Sequence, residues 1–452
     1  MSSVHPIDSY VFGSSWGSDE LRPLFDDEGR TRGWCEVMAV LAEEEAALGI
    51  IPADAAAEIA RAMRGDAADL DDVRAGYAAT GHSLLGLIRA QAARCAGGAG
   101  EWVCYGATVQ DITDTWLAVA LLRVADVAER DLAAIEERAL ALAREHRSTP
   151  MVGRTHGQPG LPITFGYKAA VWADEVGRHR ERLRQMRPRL AVGQLAGGVG
   201  TLSGFGPRGL ELQERVLRRM GLAAPAISWT VSRDRFAEFV VWLAMVTATL
   251  DRIGHEVYNL QRPEIDELAE PSRSTDVGSI TMPQKRNPER SEHLGTLARL
   301  VRRDADIMLE ALVGDHERDG RSWKSEWAAI PSASVATGAA LGLARDLLDG
   351  LEVRSGAMKR NLEARHEDMA AEAVMGALAQ QVGKQTAHER VHAAAARARE
   401  SGRALRDVLV EDPLVGGVLP DGQIDRLVMA PTPGLAEQLV DRVTGRAIVG
   451  GS

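Results

Sequence analysis

The chain has 452 residues, 45% hydrophobic and 26% charged, with a formal net charge of -11. That length supports a sizeable core and two or three domains, and the acidic balance argues against a nucleic-acid binder, whose footprint is basic. No charge-free apolar run of about eighteen residues occurs, which argues against a membrane span, and the early Asp8, Asp19 and Glu20 argue against a secretory leader. Cys35, Cys95 and Cys104 lack metal or disulfide-framework spacing, which fits a reducing cytoplasm.

Aromatics make up only 4% of the chain while alanine and leucine abound, a composition that leans towards closely packed helices. Thr31–Leu48 and Ala53–Met63 read as helices separated by the Gly49–Pro52 break. A turn-rich passage from Gly97 to Gly106 leads into the longest pattern, Ile112–His146, which contains no glycine or proline. Its Leu117, Ala120, Leu121, Val124, Val127, Ala128, Leu132 and Ile135 recur at helical spacing. Ile163–Met186, Asp234–Leu260, Pro288–Leu312 and Ala328–Leu351 are further long candidates. Helices of this length with small and aliphatic faces make an all-α bundle, with part of each face expected against other subunits. The last hundred or so residues carry shorter helices and read as a separate small helical domain.

Three polar clusters sit at the ends of these helices. Gly106-Ala107-Thr108-Val109-Gln110-Asp111-Ile112-Thr113-Asp114-Thr115 opens the longest one. Thr and Asp there serve as a helix cap, and the same exposed amides suit a carboxylate. Gly153-Arg154-Thr155-His156-Gly157-Gln158-Pro159 reads as a glycine-flanked loop before a helix, with His156 placed for proton transfer. Gly278-Ser279-Ile280-Thr281-Met282-Pro283-Gln284-Lys285-Arg286-Asn287-Pro288 puts a hydroxyl, an ammonium and a carboxamide on one segment fenced by glycine and proline. It suits a loop closing over a pocket, and a hydroxyl that acts as an alkoxide beside positive charge. Glu292 follows on the next helix, able to orient a histidine.

These three segments resemble the fumarase/aspartase superfamily, whose signature usually runs Gly-Ser-Ser-x-Met-Pro-x-Lys-x-Asn-Pro. Trp229–Asp234 and the run His316-Glu317-Arg318-Asp319, followed by Trp323, Glu326 and Trp327, resemble its cycloisomerase and adenylosuccinate-lyase-like branch. The resemblance implies three domains (1–102, 103–345 and 346–452) and a homotetramer whose active sites draw on three subunits. It implies no cofactor and no metal, and a reaction in which a small substituted succinate loses its substituent by anti β-elimination to give fumarate. By position, Ser279 matches the base, His156 the proton donor and Glu292 its partner. Lys285 and Asn287 match holders of the substrate carboxylate, and Thr108, Gln110, Thr155, Gln158, Met282, Arg233 and Arg318 match further substrate contacts. Ile280, Val109, Cys104 and Gln284 depart from the pattern and remove donors for a phosphate or extra carboxylate. The expected reaction is therefore C–N cleavage of nitrosuccinate or an N-substituted aspartate, the alternatives being a 3-carboxy-cis,cis-muconate cycloisomerase or an adenylosuccinate lyase.

Two further motifs are read as incidental. His388-Glu389-Arg390-Val391-His392 fits a zinc-binding pattern but lacks a third ligand at motif spacing, which places it on a solvated helix. Gly204-Phe205-Gly206-Pro207-Arg208-Gly209 fits the dinucleotide fingerprint without the strand that pattern requires. It reads as a glycine-rich turn continuous with Gly197–Gly200.

Overall fold

The computed structural model describes residues 3–273, 277–430 and 432–449. The chain is all-α. Its principal helices are α1 (Asp27–Ala47), α2 (Ala53–Arg64), α3 (Val109–Glu145), α4 (Phe165–Leu190), α5 (Asp234–Leu260), α6 (Glu289–Glu310), α7 (Gly320–Asp349), α8 (His366–Val382), α9 (Lys384–Ser401) and α10 (Asp421–Met429). Two short antiparallel pairs accompany them: β1 (Pro150–Thr155) with β2 (Gln158–Thr164), and β3 (Leu268–Ala269) with β4 (Glu352–Val353).

The contacts divide the chain into two compact units, one of residues 1–133, 178–252 and 293–345, the other of 134–177, 253–292 and 346–452. The boundaries fall inside the five long helices, so the division at 102 and 345 expected above stays a proposal.

In the first unit, α1 lies so close to α3 that a Cβ on Gly33 would sit 2.1 Å from the Trp116 ring. Trp116 in turn meets Trp34 and Phe25 edge to face, at 5.9 and 6.3 Å between ring centroids. Between α4 and α5 the buried His179 ring pairs with the Thr249 hydroxyl at 2.8 Å, and Trp242 Nε1 donates to the His179 carbonyl. Each of these ring nitrogens would cost stability if buried without a partner. Helix α7 begins at Gly320, eight residues before its apolar pattern, because the Asp319 carboxylate receives the Arg321 amide and starts the first turn. It carries Pro331 internally and is long and apolar enough to cross a membrane, yet 56% of that stretch is buried within the protein, as in a core helix.

In the second unit, α8, α9 and α10 close over their own core, with Val374, Leu378, Ala387, Val391, Ala394, Ile424 and Val428 buried. The β1–β2 hairpin replaces the loop expected around His156. Pro159 and Pro162 disguise β2 in the sequence, but each strand of a two-stranded pair is an edge, where a missing N–H costs little.

Candidate active site

In the first unit the polar residues opening α3 divide their tasks. Asp111 does the capping, its Oδ2 receiving the Thr108 amide at 2.9 Å. It also receives the amides of Ala196 (2.7 Å) and Gly197 (3.0 Å), so it anchors the glycine-rich turn that follows. Gly106 and Gly204 meet backbone to backbone there, a Cβ on Gly204 falling 2.8 Å from the Gly106 carbonyl oxygen. Burial pushes the Asp111 carboxyl up to about 6, against the three amides that favour its charged form.

With the cap supplied by Asp111, the Thr108 hydroxyl is left to accept a hydrogen bond from the Arg318 guanidinium at 3.1 Å. The same Arg318 nitrogen donates to the Gly198 carbonyl at 3.0 Å, while its buried Nε has no partner. Among the described residues no carboxylate pairs with Arg318. A guanidinium without a counter-ion, beside a hydroxyl at the start of a 37-residue helix, suits a carboxylate.

Gln110 and Arg233 take a different role from the expected substrate contacts. Arg233 is 2% exposed and spends its guanidinium on Asp114 (2.7 and 3.2 Å), Glu326 (2.7 and 2.6 Å) and the Thr230 carbonyl (3.4 Å). Gln110 is fully buried, its amide nitrogen donating to Asp114 and to the Thr230 carbonyl. Neither side chain has donors to offer a ligand here. Both instead brace α3, α5 and α7 behind Thr108.

The second unit carries the other candidates. His156 and Gly157 occupy the two central turn positions of the β1–β2 hairpin with φ of 53° and 75°, the sign pattern of a type I′ turn. Thr155, His156 and Gln158 are therefore exposed at the tip. The hairpin is anchored from below by Arg154, bidentate to the buried Glu267 at 2.8 Å, which also accepts from Asn361. The His156 ring makes no hydrogen bond among the described residues, so it does not meet the expected partner Glu292 there. Glu292 lies exposed in the first turn of α6.

The segment 278–288 folds on itself. Ser279 Oγ accepts the amides of Met282 at 3.0 Å and Thr281 at 3.3 Å. A Cβ on Gly278 would fall 2.2 Å from the Lys285 carbonyl oxygen, so only glycine permits this crossing. Asn287 spends its amide on the Gly278 carbonyl (2.6 Å) and Glu289 (3.2 Å), and so straps the segment rather than reaching outward with those donors. Lys285 is exposed and has no carboxylate partner among the described residues, and Met282 is 43% exposed rather than buried in a core.

The incidental motifs stay apart from these clusters. His388 and His392 stack at 6.0 Å on the exposed side of α9, and no group of three metal-ligating side chains gathers among the described residues. Residues 203–208 form a short 3-10 turn with no strand before it.

The profile of a family described as Lyase matches residues 15–302, and one described as Adenylosuccinate lyase C-terminus matches residues 368–443. The chain belongs to the fumarase/aspartase lyase superfamily. Within it, the chain is 39% identical to an N-acetyl-S-(2-succino)cysteine lyase of Enterococcus italicus, over 97% of this chain and 96% of that one. It is 38% identical to an adenylosuccinate lyase of Methanothermobacter thermautotrophicus, over 98% of both. The solved 3-carboxy-cis,cis-muconate lactonizing enzyme of Pseudomonas putida superposes with a TM-score of 0.88 at 32% identity, over 98% of this chain and 100% of that one. The chain is thus a β-elimination lyase of this superfamily, and the relatives span C–S, C–N and lactone chemistry.

Sequence reasoning missed Asp111, Asp114, Thr230 and Glu326 as the frame of the first cluster. The two aspartates read as ordinary helix-start residues, and their tertiary partners lie 85 to 119 positions away along the chain.

Proposed function

We propose that this lyase releases fumarate from a small succinate carrying a heteroatom at C2. The first substrate class to test is an S-(2-succino)thiol, and the second is nitrosuccinate or an N-substituted aspartate. The observation that carries the elimination is Ser279: two backbone N–H groups point at its oxygen, and Lys285 adds an ammonium on the same segment. Donors and a cation favour the alkoxide a serine base needs.

Ser279 takes the C3 proton, and the electron pair passes into the neighbouring carboxylate, whose doubly charged form Lys285 stabilises while Arg318 and Thr108 hold the other carboxylate. That pair then forms the C2–C3 double bond as the bond from C2 to the heteroatom breaks, and His156 gives the departing group its proton. The products are fumarate and the free thiol or amine. A thiolate leaves without prior protonation and an amine does not, so the need for His156 reports on the leaving group.

Adenylosuccinate fits less well, because Arg321, the next arginine after Arg318, is committed to Asp319 (2.6 Å) and Asp315 (2.7 Å) and offers no free charge to a phosphate. A cycloisomerase is the second reading, favoured by the edge-to-face Trp323–Trp327 pair, 4.9 Å between centroids, on the α7 turns just after Arg318. We place the enzyme in the cytoplasm as a homotetramer whose active sites combine clusters from three copies. Exposed Val171, Met245 and Leu309 on α4, α5 and α6 support burial between subunits.

The test is the ultraviolet absorbance of fumarate with N-acetyl-S-(2-succino)cysteine, nitrosuccinate, an N-substituted aspartate, adenylosuccinate and 3-carboxy-cis,cis-muconate. Fumarate from the thiol adduct with little from the others is expected. Lactone formation without fumarate from any succinate would replace this reading with the cycloisomerase. Light scattering that finds a monomer would remove the shared site.

A further inference from the structure

We infer that Thr230 is a positioning residue that sets the Arg318 guanidinium against Thr108. The inference rests on the reading of Arg318 and Thr108 as a carboxylate-binding pair. Arg318 stands on the segment between α6 and α7, whose Asp315, His316 and Glu317 are exposed, with His316 in the left-handed region at φ 53°. Such a segment has little packing to fix a long side chain, and a free arginine loses much rotamer freedom when it is held in one geometry.

The structure holds it from behind. The Thr230 hydroxyl donates to the Glu317 carbonyl at 2.8 Å, one residue before Arg318. The Thr230 carbonyl in turn accepts Gln110 Nε2 at 3.1 Å and Arg233 at 3.4 Å. Gln110 stands two residues from Thr108 on the start of α3, and Thr108 receives Arg318. The hydrogen bonds therefore close a ring: Thr108 just before α3 and Gln110 in its first turn, Thr230, Glu317 and Arg318, and back to Thr108. Thr230 is 5% exposed, and behind it lies the Asp114–Arg233–Glu326 ion cluster, each member at most 2% exposed. Thr230 is the link through which that rigid cluster reaches the exposed segment. Its hydroxyl serves the carbonyl of an otherwise exposed residue, Glu317, and lies 3.4 Å from Ser228 Oγ, which keeps the Gln194 amide as a second partner.

The experiment uses the full chain with Thr230→Val, Thr230→Ser and Arg318→Gln, read by steady-state kinetics on the fumarate-releasing substrate, by calorimetric titration with fumarate, and by thermal unfolding. Loss of one neutral hydrogen bond that orients a charged ligand group predicts about a 3- to 10-fold rise in KM and in the fumarate Kd for Thr230→Val. Its kcat should stay within about twofold, since orientation of a ground-state contact is lost equally in the transition state. Thr230→Ser, which keeps the hydroxyl, should restore both constants. Arg318→Gln should raise both by about 10- to 100-fold, as expected for a charged hydrogen bond. If Arg318→Gln leaves KM and fumarate affinity unchanged, the carboxylate-pair reading is wrong. If it raises them while Thr230→Val changes only the melting temperature, or lowers kcat alone, the positioning role is wrong. Should the valine variant not fold, Thr230→Ala gives the same readout.

Discussion

The start of α3 and the 278–288 segment place similar polar residues in opposite settings. Around α3, Gln110, Asp111, Asp114 and Arg233 are buried and bound to one another or to distant backbone, so each side chain there is fixed by the tertiary fold. In 278–288 Ser279 and Asn287 bond mainly within the segment, and Thr281, Lys285 and Ile280 face solvent. Among the described residues only Arg286 and Asn287 reach outside it, to Glu352, Gln261 and Glu289. A buried ionic frame resists rearrangement because any move unpairs a charge at low dielectric, whereas an exposed, self-bonded segment can move as one body. One region is built to hold geometry, and the other, on the proposed mechanism, delivers the base.

That contrast can be broken experimentally. Ser279→Ala should lower kcat by roughly a thousandfold or more while leaving oligomer mass and melting temperature unchanged, as expected for removal of a base on an exposed segment. An active alanine variant would move the base elsewhere. Arg233→Met should do the reverse in kind: it leaves Asp114 and Glu326 buried without their cation, costing about 3–5 kcal/mol in urea unfolding. A loss below 1 kcal/mol would mean that the pair is hydrated or protonated. Gly278→Ala sharpens the comparison further. The added Cβ collides with the Lys285 carbonyl, so activity should fall by about one to two orders of magnitude with less than about 1 kcal/mol of global stability lost.

The smallest effect concerns Glu45 on α1, fully buried with both carboxyl oxygens unpartnered. Burial alone raises its pKa from the ordinary 4.5 to about 8. The folded protein therefore keeps that proton up to about pH 8, while the unfolded chain loses it above about pH 4.5. Unfolding releases a proton across this window, so stability falls as pH rises through it. Glu45→Gln should match the wild type at pH 4.5 and exceed it at pH 8, by about 2 kcal/mol after allowing for local relaxation. An equal gap at both pH values would show that Glu45 finds a counter-charge.

Much of this was legible in the chain. The helices α3, α5 and α6 fall within a few residues of their apolar periodicity, because long apolar stripes at helical spacing, with no proline and at most one glycine (Gly254 in α5, Gly295 in α6), leave little alternative to a helix. The hairpin was not legible, since Pro159, Pro162 and the surrounding glycines are individually unfavourable in strands and only the two-stranded pairing makes them tolerable. Arg233 read as a ligand because an arginine near an active-site motif is the residue for binding carboxylates. Its two carboxylate partners lie 93 and 119 positions away and are chosen by packing, not by local sequence.

The sequence by itself determined the family, the helical architecture and the residue types of each cluster, because periodicity and motif order are local properties of a chain. Only the tertiary structure decided which polar groups remain unspent. Arg318 and Arg233 carry the same charge on the same kind of segment, yet one is saturated by Asp114 and Glu326 and the other is left with Thr108 and a bare Nε. That difference is a matter of which carboxylates are brought within hydrogen-bonding distance, and distance across a fold is not written in the order of residues.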